Sequence, residues 1–347
     1  MTPAPTTPAP TTLVTFGELM LRLGAPARER LLQSARLVAT FGGAEANVAA
    51  SLARFGHDAR LVTVLADNAL GHAALEQLRM TGMDVSRVRL APGRMGLYFL
   101  TPGAVMTPTE VLYDRAGSAF AEAAPDSYDW PALLAGAGWL HLSGVTPGVG
   151  PLACRAALDA ADAAVESGVR LSFDGNYRSR LWAAWDGNPA EVWRGLLQRA
   201  IVAFVNDLDI ALALGERFDE ADIIARRRSA ARCAFQAFPR LETVACTLRE
   251  MDGADACALG ALLFRRDGEE VVLPPRRLTH IVDRIGGGDA FAAGVLHGLF
   301  SGMGAHETLD FGLTASILKH ATPGDFNRAR VADVAALMAH GGADVRR

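Results

Sequence analysis

The sequence predicts an α/β protein: a sheet covered by helices on both faces, with a second, small sheet beside it. Two observations carry this expectation. Short β-branched runs alternate with alanine-rich helical segments along most of the 347 residues. Two stretches, 18–40 and 92–118, interrupt that alternation with strand-like pieces and no helical periodicity. Half of the residues are hydrophobic and 21% are charged, the balance of an ordinary globular core. A chain of this length fits one large α/β domain carrying insertions.

Taken in order, residues 1–12 alternate proline and threonine, which builds no core, so they are expected to form a disordered tail ahead of a domain spanning 13–345. They lack the charged and apolar regions of a signal peptide. Core strands are predicted at 13–16, 60–65, 139–142, 170–173, 201–205 and 242–247. Helices are predicted at 44–55, 70–80, 152–167 and 221–235. Gly56, Gly82 and Gly168 stand where left-handed C-caps close such helices. Residues 258–264 and 270–273 flank Arg266-Asp267-Gly268 and read as a hairpin. In the two insertions, 20–23, 97–101 and 110–113 are strand-like, and their pairing would make the small sheet. From Asp289 onward the pattern is helical, at 289–300, 306–320 and 331–340.

A net charge of −4 gives no reason to expect nucleic acid or an anionic membrane as partner. Arg226-Arg227-Arg228 reads as a solvated helix face. Cys154, Cys233, Cys246 and Cys257 show no Cys-x-x-Cys spacing and no histidine partners, as free thiols in a reducing cytoplasm would. No apolar run reaches the length of a membrane span. The eight histidines are scattered and read as solvated or packed.

The run carrying most chemistry is Asp283-Arg284-Ile285-Gly286-Gly287-Gly288-Asp289, leading into the small-residue segment Ala290-Phe291-Ala292-Ala293-Gly294. Glycines before a buried helix leave outward-pointing amides where the dipole favours an anion. They also let a phosphate approach the main chain. A carboxylate at that point would repel phosphate unless it took part in the chemistry, most simply by accepting a proton from an attacking hydroxyl. The alternative is a tight loop with an N-capping aspartate. The run is not a P-loop, and it lies too near the C-terminus for a dinucleotide fingerprint.

This segment resembles the Asp-Thr-x-Gly-Ala-Gly-Asp signature of the ribokinase-like sugar kinases, the phosphofructokinase B family. Phe41-Gly42-Gly43-Ala44-Glu45-Ala46-Asn47 is similar to the family's Gly-Gly-x-x-x-Asn substrate loop. The two marks lie about 240 residues apart in the family's order. The resemblance implies a three-layer αβα core with a mostly parallel sheet. It also implies a β lid over the sugar pocket that often forms a homodimer. ATP and Mg²⁺ are the expected cofactors.

On that resemblance Asp289 is the expected catalytic base, and Gly286, Gly287 and Gly288 supply amides to the transferring phosphate. An ordinary aspartate, with a pKa of about 3.9, is a weak base, tolerable where positioning and charge neutralisation do most of the work. Arg284 replaces the family's threonine and either binds phosphate or lies on the surface. Gly43 and Asn47 are expected at the substrate.

Three further segments are similar to the subfamily acting on 2-keto-3-deoxygluconate. Asp174-Gly175-Asn176-Tyr177-Arg178 would bring Arg178 to substrate and phosphate, with Asn176 on the nucleotide side. Tyr113-Asp114-Arg115-Ala116-Gly117-Ser118-Ala119, with Tyr98 on the preceding lid strand, would cradle a short hydroxylated acid, Arg115 meeting its carboxylate; packing or a subunit contact is the other reading. Lys319-His320-Ala321-Thr322-Pro323-Gly324-Asp325 would direct Asp325 to a sugar hydroxyl, against a plain helix stop, with His320 near the adenine.

Asn206-Asp207-Leu208-Asp209 resembles the family's Asn-x-x-Glu, implying Mg²⁺ held through water near Asn206 and Asp209. Thr247, Arg249 and Gly253 stand where relatives carry a nucleotide loop. The expected activity is ATP-dependent phosphorylation of a sugar acid, 2-dehydro-3-deoxygluconate, at its 6-hydroxyl. Its alternatives are a fructokinase, a kinase for the galactonate epimer, or a non-catalytic sugar- or nucleotide-binding relative.

Overall fold

The computed structural model describes residues 11–105 and 107–340. Most of the expected tail, residues 1–10, and the expected domain end, 341–345, lie outside the described residues. Thr12 is not tail: it opens the first strand, because its backbone pairs with Asp58 of the neighbouring strand.

The chain opens with β1 (Thr12–Phe16), then β2 (Met20–Gly24), β3 (Val38–Gly42), α1 (Ala44–Arg54), β4 (Asp58–Ala66), α2 (Ala69–Thr81), β5 (Val88–Ala91), β6 (Leu97–Thr101) and β7 (Glu110–Asp114). The middle holds α3 (Trp130–Leu133), β8 (Trp139–Ser143), α4 (Val145–Gly148), α5 (Pro151–Glu166), β9 (Arg170–Asp174), α6 (Ser179–Trp182), α7 (Pro189–Arg199), β10 (Ala200–Phe204), α8 (Asp207–Leu214) and α9 (Ile223–Ala237). It closes with β11 (Thr243–Met251), β12 (Cys257–Arg265), β13 (Glu270–Leu278), α10 (Gly287–Phe300), α11 (Ala305–His320) and α12 (Val331–His340).

Nine strands form the large sheet in the order β13-β12-β11-β10-β9-β8-β1-β4-β5. All pairings from β5 to β11 are parallel, and β12 and β13 add an antiparallel edge. Leu13, Val14, Thr15 and Phe16 of β1 are all buried, as a parallel strand with both faces covered requires. The small sheet runs β3-β2-β6-β7. Its strands come from the insertions after β1 and β5, so it stands over the carboxyl ends of the parallel strands, where open α/β sheets bind ligands.

The expected glycine stops hold: Gly56, Gly82 and Gly168 all have positive φ, which costs glycine nothing. The expected hairpin is present, but β13 continues through Pro274 and Pro275 to Leu278. Proline is tolerated there because β13 is an edge strand whose outer amides pair with nothing in the sheet.

Seven elements were not anticipated: β3, β5, the single-turn helices α3, α4 and α6, and helices α7 and α8. β3 and β5 are short and lack strong alternation. Helix α7 starts from Asn188, whose side chain accepts from Glu191 N, and α8 carries apolar residues on both its exposed and buried faces, Leu208 and Ile210, which hides its period. The C-terminal helices meet closely: a Cβ added to Gly294 of α10 would lie 2.7 Å from the Gly312 Cα of α11.

Candidate active site

A cleft of about 730 Å³ opens between the lid and the carboxyl ends of the large sheet. The wall beneath the lid includes Gly43, Asn47, Tyr98, Tyr113, Arg115 and Asp325, and the floor Gly286, Gly288 and Asp289. Asn176, Arg178, Asn206, Asp209, Thr247 and Arg249 line the opposite wall. Gly253, Gly287 and His320, expected in the site, are not among the lining residues.

Asp289 sits in the first turn of α10 and is 8% exposed. Its Oδ2 accepts a 2.6 Å hydrogen bond from Asn47 Nδ2. Asn47, expected at the substrate, therefore orients the carboxylate. Burial pushes the Asp289 pKa up to about 7, helped by Asp325 and Glu45 and opposed by Asn47 and Arg178. The weak base expected from an ordinary aspartate is thus corrected: withdrawal from water makes this one titrate near neutrality.

The glycine turn is more specialised than its sequence suggests. Gly286 has φ +83, and a Cβ on it would overlap the Asp325 carbonyl oxygen. The Gly287 amide donates to Arg284 O at 3.2 Å, so the expected role of that amide in phosphate binding is corrected: it closes the turn. The first bond inside the helix runs from Ala290 N to Gly286 O. The amides of Gly288 and Asp289 are left as the free first-turn donors.

His320 is buried behind this turn. Its ring lies where a Gly287 Cβ would be, 2.6 Å from the Cε1 atom, and its Nδ1 bonds Ser316 O at 2.7 Å. Its expected place near adenine is corrected; burial lowers its pKa to about 4, so a neutral ring packs the loop from behind. Arg284 lines the cleft and donates through Nη2 to Gly253 O at 2.6 Å and Ala256 O at 3.3 Å. Gly253, expected at the nucleotide, is corrected to the carbonyl that holds Arg284.

Two further residues expected at the substrate line the cleft and already carry charged or polar partners within the protein. Arg115, expected to meet a substrate carboxylate, pairs with buried Glu18, Nη2 to Oε2 at 2.5 Å and Nε to Oε2 at 2.7 Å, and also lines the cleft. Ser118 completes the Glu18 shell at 2.6 Å. Asp325 was expected to reach for a sugar hydroxyl, yet Oδ1 accepts from Arg22 at 2.9 Å and Oδ2 from Tyr98 at 2.5 Å. The Tyr98 hydroxyl is thereby committed. Tyr113 remains half-exposed, its ring 6.0 Å from that of Tyr98 and under the Arg115 guanidinium.

The expected metal ligands form a capping box on α8. Asn206 Oδ1 accepts from Leu208 N and Asp209 N, and Asp209 Oδ2 accepts from Asn206 N at 2.9 Å. The remaining Asn206 side-chain atom, Nδ2, is a donor and ligates no cation directly, so Asn206 is corrected from a metal ligand to a group that can reach a metal only through water. Asp209 keeps one oxygen outside the box. Burial raises its pKa to about 6, and burial together with Asp289 and Asp209 holds Asp174 well above the usual carboxylate range. Among the described residues no group of three or more metal-binding side chains converges.

The solvated reading of the arginine run is also corrected. Arg226 and Arg227 pair with Asp207, Arg228 with Glu270, and Arg227 lines the cleft beside Cys246 and Thr247. By contrast, Arg178, Arg249 and Arg284 line the cleft with no acidic partner within ion-pair distance among the described residues. Arg178 is exposed and, among the described residues, donates only to its neighbour's carbonyl, Tyr177 O at 3.0 Å. Glu18 and Arg22 escaped the sequence reading, and Asp174 stood in a motif without a role of its own, because each acquires its surroundings from distant segments.

The sequence and the architecture are matched by known proteins. The pfkB family of carbohydrate kinases matches residues 10–327. The chain is 33% identical over 313 residues to a 2-dehydro-3-deoxygalactonokinase of Haloferax volcanii, covering 90% of this chain and 92% of that protein. It is 25% identical over 316 residues to a 2-dehydro-3-deoxygluconokinase of Bacillus subtilis, covering 90% and 91%. A solved 2-dehydro-3-deoxygluconokinase of Thermotoga maritima superposes with a TM-score of 0.86 at 37% identity, over 95% of this chain and 99% of that one. No helix among the described residues is long and apolar enough to cross a membrane.

Proposed function

The chain belongs to the pfkB family of carbohydrate kinases, and on that premise we propose that it transfers the γ-phosphate of ATP to the terminal hydroxyl of 2-dehydro-3-deoxygluconate, giving the 6-phosphate. One observation carries this reading. A buried carboxylate titrating near 7, free helix-start amides and three arginines without acidic partners share one lidded cleft. Such a site suits an acceptor alcohol, a polyphosphate and a carboxylate together.

In this mechanism Asp289, oriented by Asn47, takes the proton of the sugar hydroxyl as its oxygen forms the new bond to phosphorus and the bond to ADP breaks. The Gly288 and Asp289 amides at the start of α10 receive the migrating charge. Arg178 is the free cation nearest in kind to a forked carboxylate or phosphate clamp. Arg249 and Arg284 serve the polyphosphate side. Tyr113 and the lid exclude the water that would otherwise accept the phosphoryl group.

Mg²⁺, when bound, neutralises charge on the triphosphate. Asp174 and the free oxygen of Asp209 fit it as one or two carboxylates whose raised pKa values a nearby cation would relieve. The rest of the shell would then be phosphate and water, since no cage of protein ligands is present among the described residues.

The test is a steady-state comparison of both 2-dehydro-3-deoxy epimers with fructose, reading ADP release. The gluconate epimer is expected to give the highest kcat/KM. A higher value for the galactonate epimer, which the name of the Haloferax relative favours, would move the assignment to that acid. A preference for fructose would end the acid reading. A homodimer through the lid, whose strands expose Val38 and Leu112, belongs to the same proposal. Sedimentation as a monomer at micromolar concentration would remove it.

A further inference from the structure

We propose that Arg22 is a positioning residue that couples the sugar side of the cleft to its phosphate side. The proposal rests on the kinase reading above. Arg22 lies in the middle of lid strand β2 and is not among the residues lining the cleft. Its Nη1 donates to Asp325 Oδ1 at 2.9 Å, and its Nη2 pairs with Asp283 Oδ2 at 2.7 Å. All three side chains are at most 10% exposed.

The two carboxylates serve different sides of the cleft, Asp325 as a lining residue and Asp283 from behind the turn that follows it. Asp325 faces the sugar side: its Oδ2 is held by Tyr98 from lid strand β6, and it lines the cleft. Asp283 shapes the phosphate side. Its Oδ1 accepts from Ile285 N and its Oδ2 from Gly324 N, both at 3.0 Å, which sets the turn running into Gly286 and α10. The backbone of Asp325 also supports that turn, against Gly286. Lys319, fully buried, donates to Thr322 O at 3.0 Å and lies close enough to both acids for each to act on its charge. Two cations and two carboxylates thus balance inside the protein.

The lid supplies the bridging charge. In the register of the small sheet Arg22 stands opposite Tyr98, and Tyr98 opposite Tyr113, so one row across the lid carries both the phenols of the sugar wall and the guanidinium. A shift of this row on sugar binding shifts the fork that holds the glycine turn. Charges withdrawn from water resist separation, so the linkage is stiff. Only a planar guanidinium presents two parallel donors to two carboxylates; an ammonium at the end of a lysine is a single point charge. Sugar binding and nucleotide binding should then share a coupling free energy, and the coupling is reciprocal.

The experiment is calorimetric titration of the full chain with a non-hydrolysable ATP analogue, with and without saturating 2-dehydro-3-deoxygluconate. Wild type is expected to bind the analogue about 5- to 150-fold more tightly with sugar present, the usual range of coupling between sites. Arg22→Lys, which keeps the charge, is expected to reduce that factor below about twofold, while each ligand alone still binds. Its kcat should fall by about tenfold or more with a smaller change in the KM for ATP, the pattern of lost positioning. Asp283→Asn, which severs the other end of the bridge, should lose the same coupling. Thermal melting of both variants establishes that the folded chain is being titrated.

Retention of wild-type coupling by either folded variant would overturn the proposal. So would a wild type that phosphorylates the sugar acid yet shows no coupling, and in that case the kinase reading stands. A wild type that phosphorylates no sugar acid would sink both.

Discussion

Replacing Asp289 by asparagine is expected to lower kcat by about 10²- to 10⁴-fold, the usual contribution of a positioned general base. Sugar and nucleotide binding should survive, since the amide keeps the shape of the carboxylate and can still accept from Asn47 through its carbonyl oxygen. The pH dependence tests the same residue. In wild type, kcat/KM should rise with pH and level off above about 7, where the buried carboxyl has lost its proton. That limb should disappear in the variant.

Stability has its own sign. The folded pKa lies above the ordinary value of 3.8, so the folded chain binds the proton more tightly than the unfolded one. Wild type therefore loses stability as pH rises through the window from 3.8 to about 7. Asp289→Asn should melt at a higher temperature than wild type at pH 8 and close to it below pH 4. Unchanged turnover at pH 8 would remove the proposed base.

Arg115→Leu is expected to destabilise the protein by about 3–5 kcal/mol, the cost of leaving one partner of a buried ion pair uncompensated. Glu18 is the partner left behind, with its side chain 2% exposed and only Ser118 still bonded to it. A substrate-binding arginine would behave differently, raising the KM for the sugar acid while leaving the denaturation midpoint alone. Removing both charges, with Glu18→Gln and Arg115→Met, should recover most of the lost stability, because two neutral side chains carry no desolvation penalty. Urea unfolding of the single and double variants decides between the two readings. A midpoint unmoved in Arg115→Leu would return that arginine to the substrate.

The contrast between Asp289 and Arg115 marks what was legible beforehand. Asp289, Gly286 and Gly288 stand in a run whose local chemistry already points to an anion at a helix start, and the structure places them on the cleft floor. Strand β1 and the stops at Gly56, Gly82 and Gly168 were equally readable, because burial pattern and left-handed caps are decided by a few adjacent residues. Lid strands β2, β6 and β7 announced themselves as pieces without helical period, whereas β3 and β5, four or five residues long, offered too little pattern.

Charged and polar side chains were harder to read, since their roles depend on which partner arrives from far along the chain. Asn206 and Asp209 fit a metal motif and equally a capping box, and the observed box already engages an oxygen of each. His320 and Gly287 sit in recognisable motifs but pack against one another behind the loop.

By itself the amino-acid order determined the alternating architecture, the insertion-built lid and the glycine–aspartate junction at the start of α10, because each is written in neighbouring residues. Tertiary structure alone decided which charges stay free: Glu18 reaches Arg115 from 97 positions away, and Arg22 meets Asp325 across 303. Inside a low-dielectric interior an ion takes whichever counter-charge the fold delivers, and no local pattern along the chain encodes that delivery.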